Sequence, residues 1–321
     1  MRINPESPIL SICIPTYNQP KALKSILDEI FVQAKEGVEI VIRDDSIGAE
    51  SERIAEFYKN KGMPLRYFHG KKEGLDRAIL FLTGEARGKY IWWFGDDMMA
   101  KGAIENILTV IKENPSISFI FLNSRQTTDR DGLLKLGGTG FFKDRNEVIE
   151  KAVDMLGFIT STIIRREEAV SGLIQAERYV GTAWVNLFIV LNVLSQEGRY
   201  YFIEEPLIIS EPRDPKRPSW YDGFYVFAIN FYNVVNFFKG KFSDDSMKRM
   251  LADNLRGVLR GVFVYRAEGY THGLGSKNPK IIPLFRLYWN FLEFWKYFPI
   301  LLIPRPLAKI SYYFYKSIKT K

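Results

Sequence analysis

The sequence predicts an α/β fold: a Rossmann-like, mostly parallel sheet with flanking helices, followed by a helical C-terminal extension. Three observations predict it. The first third contains short segments that are apolar throughout. A segment of helical periodicity follows each of them. Polar residues gather where the apolar segments stop. Strands apolar on both faces indicate a sheet covered on both sides, as parallel sheets usually are. Ligands then bind outside the carboxyl ends of the strands.

The elements can be read in order. Ile9–Ile14 is a strand that ends at Pro15-Thr16-Tyr17-Asn18. Lys21–Gln33 is helical through Leu23, Ile26, Leu27, Ile30 and Phe31. Val38–Ile42 is a second strand, stopping at Asp44-Asp45-Ser46, and Glu50–Lys61 is a polar-faced helix. Leu65–Phe68, Tyr90–Phe94 and Ile117–Leu122 are further strands; Leu75–Leu82 and Lys101–Lys112 are helices. Asn114-Pro115 closes the last of these. Beyond Asn123 the pattern is less regular. Leu133–Phe142 reads as a bent hairpin, Asn146–Leu156 as a helix and Phe158–Arg165 as a strand. Thr182–Gln196 is helical and Arg199–Ile209 extended. A Pro-rich basic loop, Ser210–Trp220, leads to long helices at Tyr221–Phe238 and Ser243–Tyr265. Gly269–Pro283 is a linker before an aromatic-basic tail.

The charge is unevenly placed. The 321 residues carry 45 Lys+Arg against 37 Asp+Glu, a net +8. Residues 281–321 hold seven basic residues against one acid, Glu293, so +6 of that charge lies in the tail. Twelve aromatics accompany it. A nearly neutral remainder disfavours a nucleic-acid-binding core, and no nucleic acid is expected as a partner. In the tail, Leu284, Leu287, Tyr288, Phe291, Phe294, Trp295 and Phe298 make a wide apolar stripe beside Lys and Arg. That pattern suits a membrane surface; the plainer reading is a helix docked on protein. No stretch reads as a bilayer span: Tyr179–Gln196 contains polar residues, and Asn230, Asn233 and Asn236 stripe the other long uncharged segment.

The lone Cys13 excludes a disulfide framework and sits in an apolar run, as a small buried hydrophobe would. A reducing compartment is expected. The start, MRINPESPIL, shows no secretory pattern. The expected location is cytoplasmic, peripheral on the inner face of the cell membrane.

Two acid pairs stand at strand ends, Asp44-Asp45 and Asp96-Asp97. Adjacent carboxylates after an apolar strand need solvent, a cation or hydrogen-bond donors. A divalent cation bridging a carboxylate to a diphosphate meets that need; so does an ordinary capping turn. Taken with Pro15-Thr16-Tyr17-Asn18, Gly74…Ala78 and Ala86-Arg87-Gly88-Lys89-Tyr90, the ordered set resembles glycosyltransferase family 2, of GT-A fold, in its abequosyltransferase-like branch. The resemblance covers about residues 9–125.

The resemblance implies a GT-A catalytic domain over 1–220, with a nucleotide-sugar-binding half (1–125) and an acceptor-side half (126–220), then a helical extension (221–280) and the tail (281–321). It implies hexosyl or deoxyhexosyl transfer from a nucleoside diphosphate sugar, UDP or dTDP favoured, to a glycan hydroxyl in bacterial surface polysaccharide synthesis. A lipid-linked acceptor would explain the tail. Pro15, Thr16, Tyr17, Asp44 and Asp45 would line the nucleoside pocket, with Asp96 near the ribose or sugar. Asp97 would hold Mg²⁺ or Mn²⁺, with His272 a second candidate. Arg77, Arg213 and Arg217 would meet the diphosphate. Phe158–Ser161 would lie on the acceptor side.

The sequence also departs from the family pattern. Gly95 and Met98 replace acids, and no acid stands at Gly181-Thr182-Ala183-Trp184, where the general base is expected. Glu177 and Asp222 are the base candidates. These departures keep open a catalytically degenerate homologue that binds a nucleotide sugar or membrane. A nucleotidyltransferase is a further alternative, though no Gly-rich, Lys-containing pyrophosphate loop stands near the N-terminus.

Overall fold

The computed structural model describes residues 8–33, 36–129, 131–211, 221–269 and 281–319. The chain divides into two units, Met1–Pro212 and Arg213–Lys321. In the first, the order is β1 (Leu10–Thr16), α1 (Pro20–Gln33), β2 (Val38–Asp44), α2 (Glu50–Asn60), β3 (Leu65–His69), α3 (Leu75–Glu85), β4 (Tyr90–Trp93), β5 (Met98–Met99) and α4 (Ala103–Glu113). Then come β6 (Ile117–Gln126), β7 (Gly140–Phe141), α5 (Arg145–Ala152), β8 (Thr162–Arg165), α6 (Arg166–Ser171), α7 (Leu173–Ala176), α8 (Val185–Leu194) and β9 (Arg199–Ser210).

One sheet runs β3-β2-β1-β4-β8-β6-β9-β5, with β7 also paired to β9. The strands β3, β2, β1 and β4 are parallel. β8 enters antiparallel between β4 and β6, and β6 is parallel to β9. The strands are buried on both faces. Ile12, Ile14, Ile40, Ile42, Trp92 and Phe94 join the core under α1 and α4. On α4 the inward residues Ile104, Ile107, Leu108 and Ile111 repeat at helical spacing. α3 covers β1 and β2 on the other side, and α8 covers β6 and β8. Cys13 is fully buried, with its thiol pKa pushed up by desolvation.

Three sequence expectations need correction. Leu133–Phe142 is not a hairpin: only Gly140–Phe141 is extended, and it pairs with β9. Side chains hold the preceding loop instead. The Glu204 carboxylate accepts from the Leu136 and Gly138 N–H groups, and Asn123 donates to Leu134 O at 2.7 Å. The expected strand Phe158–Arg165 begins with a 3₁₀ turn, Ile159–Ser161, and only Thr162–Arg165 is extended. The expected helix at Thr182 starts later, at Val185, because Ala183 holds φ +65°.

The second unit is helical. A π-helical turn, Tyr225–Asn230, runs into α9 (Phe231–Phe237). α10 (Asp244–Glu268) follows, capped by the Ser243 hydroxyl on Ser246 N–H and ended at Gly269, φ +81°. α11 (Ile281–Tyr288), α12 (Leu292–Leu302) and α13 (Arg305–Lys319) make the tail; α12 and α13 lie against α10. The tail has two faces. Leu284, Tyr288 and Phe294 are fully buried, and the Tyr288 hydroxyl donates to Ala228 O at 2.9 Å. Phe285, Trp289, Leu292, Trp295, Leu307 and Phe314 are exposed. Asn233 and Asn236 lie on the exposed side of α9, which packs Phe231, Val234 and Val235 inward. No described helix is long and apolar enough to cross a membrane.

Candidate active site

Thr16, Asp44 and the turn after Trp93 lie at one edge of the sheet, because β1, β2 and β4 are parallel and adjacent. The ends of β1 and β2 are tied together. Asp45 N–H donates to Thr16 O at 3.1 Å, and Asn18 N–H to the Ser46 hydroxyl at 2.7 Å. Asn18 takes φ +51°, which an Asn tolerates. Pro15 and Thr16 are half-buried; Tyr17 is exposed, with the Lys72 ammonium 4.5 Å from its ring centre.

The two acids at the end of β2 are both buried but have different partners. Asp44 is 0% exposed. Its Oδ1 accepts Ser46 N–H at 2.8 Å and its Oδ2 the Tyr67 hydroxyl at 2.6 Å. Asp44 thus holds the turn from inside, with a protein donor on each oxygen. Asp45 accepts Arg43 Nε at 2.8 Å on Oδ1 and Glu73 N–H at 3.1 Å on Oδ2. Arg43 also lies over the Phe81 ring, 4.7 Å from its centre. A Cβ at Gly70 would fall 1.9 Å from the Arg43 guanidinium, so a larger residue there would push that side chain from its present position. Arg43, Tyr67 and Gly70 have no signal in the local sequence, because their partners lie on neighbouring strands and loops.

At the end of β4, Asp96 is exposed and Asp97 half-buried. The Thr160 hydroxyl donates to Asp97 Oδ2 at 2.5 Å and accepts Gly95 N–H at 3.2 Å. Thr160 is fully buried in the 3₁₀ turn, and its carbonyl accepts Trp92 Nε1 at 2.8 Å. The turn expected on the acceptor side thus orients the metal candidate. A Cβ at Gly95 would meet Thr160 Oγ1 at 3.3 Å, so an acid there would crowd this contact. Burial, reinforced by the Asp96 charge, raises the Asp97 pKa to about 6; the Thr160 hydroxyl opposes the shift.

A single carboxylate does not make a metal site, and among the described residues no group of three or more His, Cys, Asp or Glu could hold an ion. One carboxylate does fit Mg²⁺ or Mn²⁺ when diphosphate oxygens complete the coordination. Only Oδ2 of Asp97 has a recorded hydrogen bond, leaving Oδ1 for such an ion.

The acceptor-side turn is held by a residue the sequence reading missed. Asp76, in the first turn of α3, accepts Gly181 and Ala183 N–H, each at 2.8 Å, and Val185 N–H at 3.2 Å. It caps α8 from another helix, which no local pattern could signal. Burial raises its pKa, and these backbone donors oppose the shift. Arg77 and Glu177, predicted as diphosphate cation and base, form an ion pair with each other. Asp222 caps its own helix, accepting Tyr225 N–H at 3.2 Å within the second unit. Arg213, Arg217 and His272 lie outside the described residues.

Residues 11–170 match the family model described as Glycosyl transferase family 2. Abequosyltransferase RfbV of Salmonella typhimurium is 26% identical over 222 residues, 63% of this chain and 66% of that protein. The uncharacterized glycosyltransferase EpsJ of Bacillus subtilis is 23% identical over 70% of this chain and 62% of its own length. The chain thus spans just under two thirds of each of these relatives. Among solved structures, S. aureus TarS 1-349 in complex with UDP-GlcNAc superposes with a TM-score of 0.60 at 15% identity, covering 77% of this chain and 71% of that one. The mannosyltransferase PcManGT from Pyrobaculum calidifontis, in complex with GDP-Man and Mn²⁺, gives 0.51 at 15% identity over 76% of this chain and 68% of its own. The sheet with its flanking helices is a GT-A fold, and through the domain at residues 11–170 this chain belongs to glycosyltransferase family 2.

Proposed function

We propose that the protein is a glycosyltransferase that moves a hexosyl or deoxyhexosyl group from a nucleoside diphosphate sugar to a glycan hydroxyl. Bacterial surface polysaccharide or a related glycan is the product class, in keeping with the abequosyltransferase relative. The observation that carries this reading is Asp97: a half-buried carboxylate with a raised pKa, held by Thr160 at the carboxyl edge of a parallel sheet. Such a carboxylate is costly to ionise and is relieved by a bound cation.

Each residue then has a task. Asp45, fixed by Arg43 and the Glu73 N–H, presents its remaining lone pairs to an imide N–H, which favours UDP or dTDP donors. Asp97 would hold Mg²⁺ or Mn²⁺. The ion, when bound, stabilises the charge that develops on the leaving group. Arg77 supplies a further cation, and Asp96, being exposed, faces the ribose or sugar. Glu177 is the preferred base, since the Asp222 carboxylate caps a helix. The exposed aromatic and basic face of α11–α13 holds the enzyme to the inner face of the cell membrane, where a lipid-linked acceptor would be met.

A donor-hydrolysis screen across UDP-, dTDP- and GDP-sugars with Mg²⁺ or Mn²⁺ tests the enzyme reading. Turnover with one donor that is lost in Asp97→Ala is expected. No binding or turnover with any donor would sink it. Binding without turnover would instead favour the degenerate homologue, which Gly95, Met98 and the acid-free turn Gly181–Trp184 already suggest. Flotation of the full chain with liposomes, beside a chain truncated at Ile281, tests the tail; equal partitioning of the two would refute its membrane role.

A further inference from the structure

The opposite edge of the sheet carries a basic cavity that the glycosyl-transfer reading does not use. Leu10 is in register with Tyr90, and Tyr90 with Arg165, so the start of β1, the start of β4 and the end of β8 meet there. Six residues of β1 separate this edge from Thr16, roughly 20 Å at strand rise. The cavity is about 390 Å³ and is lined by Arg87, Lys89, Arg165 and Arg166 against one carboxylate, Glu167.

Neutral groups, rather than carboxylates, hold most of these cations in place. Gly88 N–H donates to the Ser11 hydroxyl at 2.8 Å, and Arg87 N–H to Glu39 Oε1 at 2.6 Å. Ser11 Oγ in turn donates to Glu39 Oε1 at 2.6 Å, so a buried pair clamps the loop. A Cβ at Gly88 would lie 2.6 Å from Ser11 N, so the loop approaches β1 as only glycine can. This backbone fixes Arg87 and Lys89 on either side of Gly88. Backbone carbonyls position the side chains that are anchored. Lys89 Nζ donates to Pro115 O at 2.9 Å, Arg165 Nη2 to Ile117 O at 2.6 Å, and Arg166 Nε to Ala86 O. Carbonyls orient a cation but do not cancel its charge. Glu168, 3.5 Å from Arg165, makes the one carboxylate ion pair recorded for these four among the described residues.

Four cations against the carboxylates of Glu167 and Glu168 leave an excess of like charge that repels itself and focuses positive potential into the concavity. A tetrahedral oxyanion relieves that repulsion and accepts the forked donors that guanidinium groups offer. We propose that this cavity is an anion site for a phosphate group, separate from the donor site. The phosphate belongs either to a soluble phosphoanion or to an anionic lipid headgroup. The inference does not rest on the glycosyltransferase reading, and its failure would leave that reading untouched.

Pyrophosphate is titrated into the full chain by calorimetry, at fixed ionic strength with a chelator present. The same chain is floated with vesicles of phosphatidylglycerol and, separately, of phosphatidylcholine. Each measurement is repeated on the double variant Arg87→Ala/Lys89→Ala, which leaves the Arg165 and Arg166 anchors intact. A chloride titration at matched ionic strength controls for screening. A loss of about tenfold or more in pyrophosphate affinity in the double variant supports a soluble phosphoanion. A selective loss of phosphatidylglycerol binding supports the headgroup. Unchanged binding of both probes in the double variant, no binding of either by the wild type, or equal effects from chloride overturns the proposal. Circular dichroism of the variant, with Arg87→Glu as a second test of the charge, separates lost binding from lost folding.

Discussion

The ends of β2 and β4 flank β1, and each carries an Asp-Asp pair, yet the two pairs behave differently. At β2, Asp44 is fully enclosed and has a donor on each oxygen, Ser46 N–H and the Tyr67 hydroxyl. At β4, Asp97 is half-buried with one recorded donor, and its pKa rises to about 6. Asp44 has what a carboxylate needs from the protein itself. Asp97 does not, and that shortfall is what a cation and a diphosphate would meet. Two acid pairs that look equivalent in sequence thus contain one carboxylate satisfied by the protein, Asp44, and one that is not, Asp97.

The comparison can be broken in several places. The largest effect is expected at Asp97: Asp97→Asn should lower turnover of the donor found by screening by about a hundredfold or more, measured as kcat/KM. Asp44→Ala should instead cost stability, about 2–4 kcal/mol in urea unfolding, because it strands a buried N–H and a hydroxyl. If Asp44→Ala unfolds no more readily than wild type, the scaffold assignment is wrong. Asp76→Ala should cost somewhat less, about 1–3 kcal/mol, since Gly181 and Ala183 keep partial access to water.

A smaller effect of opposite sign is expected from Asp97 in stability. Its carboxyl is raised in the folded chain above the unfolded value of about 3.9, so the folded state holds that proton more tightly. The favourable contribution of the protonated form is present at low pH and lost as pH rises from about 4 to about 6. Without metal, Asp97→Asn should therefore stabilise the protein near neutral pH by about 1–3 kcal/mol, with the gain fading below about pH 4. A variant less stable than wild type at neutral pH would remove the argument that Asp97 is held at a cost. The smallest effect is expected for Glu177→Gln, which should leave urea stability nearly unchanged because its ion pair with Arg77 is solvent-exposed. The same variant should lose transfer if Glu177 is the base, so retained transfer would move that role elsewhere.

What was legible in the sequence follows from locality. The parallel strands and α1–α4 could be read because each buries residues of regular period, as Ile104, Ile107, Leu108 and Ile111 do. The strand-end acids could be read because they interrupt those runs. The Thr160 contact with Asp97 spans 63 residues, and the Asp76 cap on Ala183 spans 107; no local pattern encodes either. The start of α8 was misplaced for the same reason, since its cap comes from α3. The Tyr67 hydroxyl on Asp44 could not be read either, because a motif specifies position along a strand, not which way a carboxylate turns. The tail stripe was read correctly as amphipathic. Its buried face packs within the helical unit, as Leu284 and Tyr288 do, and Phe285, Trp289 and Trp295 lie on its exposed face.

The most direct test of the role proposed for Asp97 is calorimetric binding of UDP in the presence and absence of Mn²⁺, by wild type and Asp97→Asn. The account predicts Mn²⁺-dependent binding by the wild type and its loss in a variant that remains folded. Equal Mn²⁺-dependent affinity in the two proteins would contradict it.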